Sequence, residues 1–152
     1  PYAQQAANAI GITPFGLLAQ AALETGWGRR ITQDDKGNSS KNLFNIKATG
    51  GWQGDKVAVN TLEFDEDVAK KERAEFRSYS SFEDSFNDYV SLITESKRYK
   101  DAVTVSQEDM AYFEAIHKAG YATDPKYTQK IESILQSDEM TLLKQRMTEV
   151  GD

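Results

Sequence analysis

Between Arg29 and Lys56 the chain is rich in Gly, Asn, Ser and Lys, with only isolated aromatics. Neither the helical nor the strand period can be laid on such a segment. It predicts a long loop, and loops of this length in compact domains are usually functional or mobile. No cysteine is present to staple it. The loop must therefore be held by a core built from the segments on either side. The whole chain has 152 residues, which predicts a single domain.

The flanking segments read as helical. Residues 3–10 are Ala-rich, and Gly11 stops that helix. Thr13 is a good N-cap, with Pro14 in the first helical position. The next helix is predicted to run to about Thr25, ended by Gly26 and Gly28. Residues 56–64 and 73–79 read as two strands of a hairpin, joined by a charged turn over 65–71. Ser80 and Glu83 form a capping box before a stripe of Phe82, Phe86, Tyr89, Val90 and Ile93. Ser106 with Asp109 reads as another cap, and Asp124-Pro125 starts a further helix bearing Ile131, Ile134 and Leu135. Residues 137–152 hold Met140, Leu143 and Met147 at helical spacing and form a tail with no assigned role. The expected fold is α+β, mostly helical with one small β lobe.

Composition excludes several chemistries. Without cysteine there is no disulfide, thiolate zinc site, iron–sulfur cluster or cysteine nucleophile. The single histidine, His117, rules out a zinc site built on two or three imidazoles. It lies near Tyr112 and Ile116 and reads as a packed residue. A net charge of −6 makes the chain a poor nucleic-acid binder. No stretch approaches the roughly 18 apolar residues of a membrane span. The sequence begins at Pro1 with neither methionine nor signal peptide, as expected of a fragment or a processed product. Carboxylates and tyrosines are left to carry chemistry.

Ala22-Leu23-Glu24-Thr25-Gly26-Trp27-Gly28 is the sharpest local pattern. Glu24 falls at the C-terminal end of an apolar helix. Apolar surroundings and the negative helix end both favour a protonated acid. A glutamic acid that stays protonated near neutral pH suits protonation of a glycosidic oxygen. By spacing alone, Glu24 reads rather as a solvated helix end beside a C-cap glycine.

Four blocks, in order, lift that ambiguity. LLAQAALETGWGRR (17–30), NLFNIKA (42–48), FRSYSSFEDSFNDYVSLI (76–93) and AGYATDPKYTQKI (119–131) resemble the glucosaminidases of glycoside hydrolase family 73, which cleave peptidoglycan. Within that family they are most similar to the hydrolase domains associated with the flagellar rod. The resemblance covers residues 2–136 and departs at Asn45, where many members carry Gly. It implies a lysozyme-like fold with a cleft between a helical lobe and a β-hairpin lobe. It divides the chain into a hydrolase domain over 1–136 and the 137–152 tail.

The implied activity is hydrolysis of the β-1,4 bond between N-acetylglucosamine and N-acetylmuramic acid. Glu24 matches the general acid. Glu63 matches a second carboxylate in the β lobe, acting as base or as stabiliser of the oxocarbenium ion. Tyr121 is expected to orient the reacting groups. Tyr127, on the face with Ile131 and Ile134, reads as packing. Trp27, Phe44 and Trp52 are candidate sugar platforms, and Asn42 and Lys47 candidate hydrogen-bonding partners of the glycan. No metal or organic cofactor is expected. The implied partners are peptidoglycan strands and, through a region preceding Pro1, flagellar rod proteins, in the periplasm. A muramidase, a lytic transglycosylase and a non-catalytic wall-binding domain are the alternatives.

Overall fold

The computed structural model describes residues 2–49 and 51–149, with side chains up to residue 146. Among these residues it forms seven α-helices and one two-stranded sheet, an α+β fold. The helices are α1 (Tyr2–Ile10), α2 (Pro14–Thr25), α3 (Phe82–Glu95), α4 (Lys100–Thr104), α5 (Asp109–Lys118), α6 (Tyr127–Leu135) and α7 (Asp138–Glu149). The strands are β1 (Lys56–Asp65) and β2 (Val68–Arg77). No single helix among the described residues is long and apolar enough to cross a membrane.

Helix α2 is central and packs against α1, α6 and α7. Its boundaries follow from its sequence. Thr13 caps the start, its Oγ1 accepting from the Gly16 amide at 3.1 Å. Gly26 ends it in the left-handed region at φ 57°, a conformation that glycine adopts without Cβ strain. Gly16 has a different reason to be glycine: a Cβ there would lie 2.7 Å from an Asp109 carboxylate oxygen. That carboxylate accepts from the Thr13 amide at 3.0 Å and from the Thr13 hydroxyl. Asp109 thus ties the start of α5 to the start of α2 and does not pair with Ser106 in a cap. The single proton of the Ser106 hydroxyl is instead shared between the Ile10 and Val103 carbonyls, both at 2.9 Å.

Four other local expectations shift. The cap of α3 is Ser81, which accepts from the Asp84 amide at 3.0 Å; the Ser80 hydroxyl donates to the Asp84 carboxylate. Both serines have an acidic residue three positions on, so the pattern alone does not separate them. Phe82, at the head of the predicted stripe, is exposed. The hairpin turn is also far tighter than a loop over 65–71. Glu66 and Asp67 close it at φ 49° and 65°, and the ladder pairs Asp65 with Val68 through Lys56 with Arg77. Positive φ at both central residues is the twist-matched two-residue hairpin geometry. Residues 68–71 are exposed, so no burial period marked them as strand. A 3₁₀ turn over Lys97–Tyr99 and the short α4 fill a stretch where no element was predicted.

The core gathers Leu17, Phe44, Tyr89, Ile93, Tyr112, Phe113, Ile116 and Ile131. Met140 of α7 is also buried in it, and Leu143 packs on its edge. Met147 lies outside the described side chains. The long loop is irregular but tied down. Ala48 N donates to Glu75 O at 2.9 Å, Arg77 N to Ile46 O at 3.0 Å, and Tyr79 N to Ser40 O at 2.7 Å. These bonds pin residues 40–48 along β2 and beside the end of α2.

Candidate active site

The end of α2 brings Glu24 to the meeting point of the loop, the hairpin and α6. Its carboxyl is contacted from two sides. The Tyr127 hydroxyl donates to Oε2 at 2.9 Å. Asn45 Nδ2 donates to Oε1 at 3.2 Å and, more closely, to the Glu24 carbonyl at 2.8 Å. Asn45 reaches both because its backbone is left-handed, at φ 50°, a region asparagine tolerates better than most residues. Burial pushes the Glu24 carboxyl up from 4.5 to about 7. The two hydrogen bonds oppose that rise, and the negative charge of Glu63 adds to it. Near neutral pH, Glu24 is therefore divided between acid and carboxylate.

Glu63 stands near the end of β1 with both oxygens engaged. Lys47 Nζ lies 2.7 Å from Oε1, and the Thr123 hydroxyl donates to Oε2 at 2.8 Å. Thr123 Oγ1 in turn accepts from the Phe64 amide at 2.9 Å. One threonine side chain thus links the hairpin to the segment between α5 and α6. The Lys47 carbonyl accepts from Arg77 Nε at 3.2 Å, and Arg77 also donates to Asp88 at 2.8 Å. The lysine that faces Glu63 is anchored at its root.

Tyr121 and Tyr127 lie side by side near the acid, with ring centroids 6.1 Å apart and planes tilted by 35°. Burial pushes both phenols far up, so each keeps its proton. Tyr121 donates that proton to the Phe44 carbonyl at 2.6 Å. Its remaining lone pairs are free to accept. Tyr127 corrects the packing-only expectation. It is buried against Ile131, yet its hydroxyl is a direct partner of Glu24. Gln20, one turn before Glu24 on α2, donates from Nε2 to that hydroxyl at 2.9 Å. Neither Gln20 nor Asn45 carried a role in the sequence reading. The departure from Gly at position 45 was the one available signal for Asn45.

The expected glycan contacts divide. Phe44 is 0% exposed and stacks on Tyr89 at 4.3 Å, so it is core and has no face for a sugar. Asn42 is also 0% exposed. Its Nδ2 donates to the Ile46 and Arg77 carbonyls at 2.9 Å, and its Oδ1 accepts from the Ile46 amide at 3.1 Å. Asn42 is a loop brace and presents nothing to a ligand. Trp52 has the Arg77 guanidinium 4.5 Å from its ring centre and donates to the Asp55 carbonyl at 2.9 Å. Trp27 is 44% exposed and sits at φ 60°, strained for a bulky residue. It lines an apolar groove of about 480 Å³ with Leu18, Leu43, Phe86 and Leu143. His117 hydrogen-bonds Thr128 at 3.0 Å and packs on Tyr127. Asp34 accepts from the amides of Lys36 and Asn38, both at 2.9 Å, within its own turn.

The profile of the glucosaminidase family, described as mannosyl-glycoprotein endo-β-N-acetylglucosaminidase, matches residues 1–140. The chain belongs to the glucosaminidase family. The chain is 52% identical over 139 residues to the peptidoglycan hydrolase FlgJ of Vibrio parahaemolyticus, covering 91% of the chain and 45% of the relative. It thus spans less than half the length of that protein. Its fold matches a peptidoglycan hydrolase mutant from Sphingomonas sp. A1 with a TM-score of 0.86 at 36% identity, over 98% and 94% of the two chains. The glycoside hydrolase domain of Salmonella typhimurium FlgJ matches with a TM-score of 0.71 at 36% identity, over 98% and 87%. A family of glycoside hydrolases needs a proton donor for the leaving oxygen. In this chain burial raises the Glu24 carboxyl to about 7.

Proposed function

We propose that this glucosaminidase hydrolyses the β-1,4 bond that follows N-acetylglucosamine in peptidoglycan. The observation that carries the reading is the Glu24 carboxyl, raised to about 7 at the buried end of α2, with the Glu63 carboxylate near enough to contribute to that rise. Glu24 protonates the leaving oxygen as the glycosidic bond breaks. Glu63 assists as base toward water or as an anion beside the developing oxocarbenium ion. Tyr121, with its proton on the Phe44 carbonyl, offers lone pairs to a water or to an acetamido N–H. Of the expected glycan contacts, Lys47 and Trp27 are exposed and Trp52 is partly exposed, so these three remain candidates. The relatives named as peptidoglycan hydrolases support the wall glycan as substrate. The likeness to flagellar rod-associated domains supports a periplasmic setting, where such a cut opens the wall for the rod.

Digestion of purified peptidoglycan by the chain and by Glu24→Gln tests the reading. Fragments are reduced with borohydride and their ends identified by mass spectrometry. Reduced N-acetylglucosamine ends, formed on the order of 10³-fold more slowly by the variant, are expected. Reduced muramic ends would make it a muramidase, and anhydromuramic ends a lytic transglycosylase. Wall binding without new ends would make it a binding module.

A further inference from the structure

Beneath Glu24 runs a buried line of polar side chains that the reaction itself does not touch. Tyr112, Tyr89 and Gln20 are each 0% exposed, and Tyr127 is 3% exposed. The Tyr89 hydroxyl donates to Gln20 Oε1 at 2.6 Å, and Gln20 Nε2 donates to the Tyr127 hydroxyl at 2.9 Å. Tyr89 and Tyr112 share a contact of 2.7 Å between hydroxyls. A phenol has one proton. Tyr89 gives its proton to Gln20, so Tyr112 must be the donor in the pair. The line then has one direction throughout, from Tyr112 through Tyr89, Gln20 and Tyr127 to Glu24.

Gln20 fixes that direction because an amide presents a donor at one end and an acceptor at the other. With Nε2 occupying a lone pair of Tyr127, the phenol proton is turned onto Glu24 Oε2. The opposite polarity would turn the Tyr127 proton toward Gln20 and leave a lone pair facing Oε2. It would then fit only a carboxyl protonated at Oε2. The observed polarity fits both states of the cycle: it leaves the protonated acid its proton at Oε1, and it stabilises the carboxylate left after transfer.

We propose that Gln20 is a positioning residue which, acting through Tyr127, confines the transferable proton of Glu24 to Oε1. The proposal rests on the reading of Glu24 as the proton donor. Asn45 leaves this assignment open to transfer, since its Nδ2 is anchored mainly on the Glu24 carbonyl and meets Oε1 only at 3.2 Å. A purely structural Gln20 would brace α2 against α3 and α6 with no dependence on which end of the amide faces Tyr127.

A double-mutant cycle separates the two roles. Turnover of soluble glycan strands, their peptide stems removed, is measured for the wild type, Gln20→Met, Tyr127→Phe and the double variant. Gln20→Met is expected to lower kcat about tenfold with KM within about twofold, and to cost less than about twofold once Tyr127 is already Phe. Gln20→Glu keeps the shape of the side chain, but its carboxylate draws the Tyr127 proton away from Glu24. It is expected to lower kcat by about a hundredfold or more, a loss that also disappears in the Tyr127→Phe background. Equal losses in both backgrounds, or a loss confined to KM, would overturn the proposal. Glu24→Gln, run alongside, tells the two ideas apart: retained activity there defeats the proton-donor reading itself, whereas an inactive Glu24→Gln with additive Gln20 effects defeats only the role of Gln20.

Discussion

The hydroxyl of Tyr127 donates to Oε2 of Glu24 at 2.9 Å, joining residues 103 positions apart. That bond stabilises the carboxylate, so it holds the Glu24 value below what burial alone would produce. Removing it in Tyr127→Phe should move the alkaline limb of kcat/KM upward, by about half a pH unit or more. The proton becomes harder to transfer, and kcat should fall about tenfold. A pH–rate profile of the two proteins checks both effects.

The raised Glu24 value has a consequence for stability. The unfolded chain ionises this carboxyl near 4.5, whereas the folded chain holds the proton to about 7. Between those values the folded state binds more protons, so stability falls as pH rises through that window. Below it the cost is absent, and above it the cost is complete, at up to about 3 kcal/mol. Glu24→Gln escapes the cost. Its melting temperature relative to the wild type should therefore climb between pH 4.5 and 7 and then level off. Thermal melts across that range read the difference directly.

Thr123 joins the hairpin to the helical lobe through two bonds, accepting from the Phe64 amide and donating to Glu63. Thr123→Val keeps the shape and removes both. Amide exchange at Phe64 should accelerate about tenfold or more, because its acceptor is gone. Glu63 loses one of its two fixed partners, and kcat should drop with it, while melting temperature changes little at this exposed site.

Much of this architecture was legible in the sequence because local chemistry fixed it. Thr13-Pro14 and Gly26 mark both ends of α2, and the apolar spacing of α3 and α6 marks their buried faces. The loop over 29–56 was legible only as a loop. Without a period, nothing told Phe44 and Asn42, which face inward, from Lys47, which faces out. Tyr127 was misread for a related reason. Helical spacing identifies a buried face, but a buried phenol still needs a hydrogen-bond partner. Its partner is supplied by a distant helix. The turn at Glu66-Asp67 escaped because acidic residues there accept positive φ without a glycine to announce it.

Asn42 offers a control on the site boundaries. Its side chain makes three hydrogen bonds to the loop and β2, all within the fold. Asn42→Ala takes the acceptor from the buried Ile46 amide and one donor each from the Ile46 and Arg77 carbonyls, and should cost about 1–3 kcal/mol. Chemical denaturation measures the loss. At temperatures where the variant remains folded, KM should stay within about twofold of the wild type, since Asn42 is too deep to meet glycan.

The central claim is that Glu24 holds a transferable proton near neutral pH. With ¹³C-labelled glutamate, the Glu24 Cδ resonance, identified by its loss in Glu24→Gln, can be followed through a pH titration. The account predicts a midpoint at about 7, coinciding with the alkaline limb of kcat/KM on soluble glycan strands. A midpoint near the ordinary 4.5, with activity persisting well above it, would contradict the account.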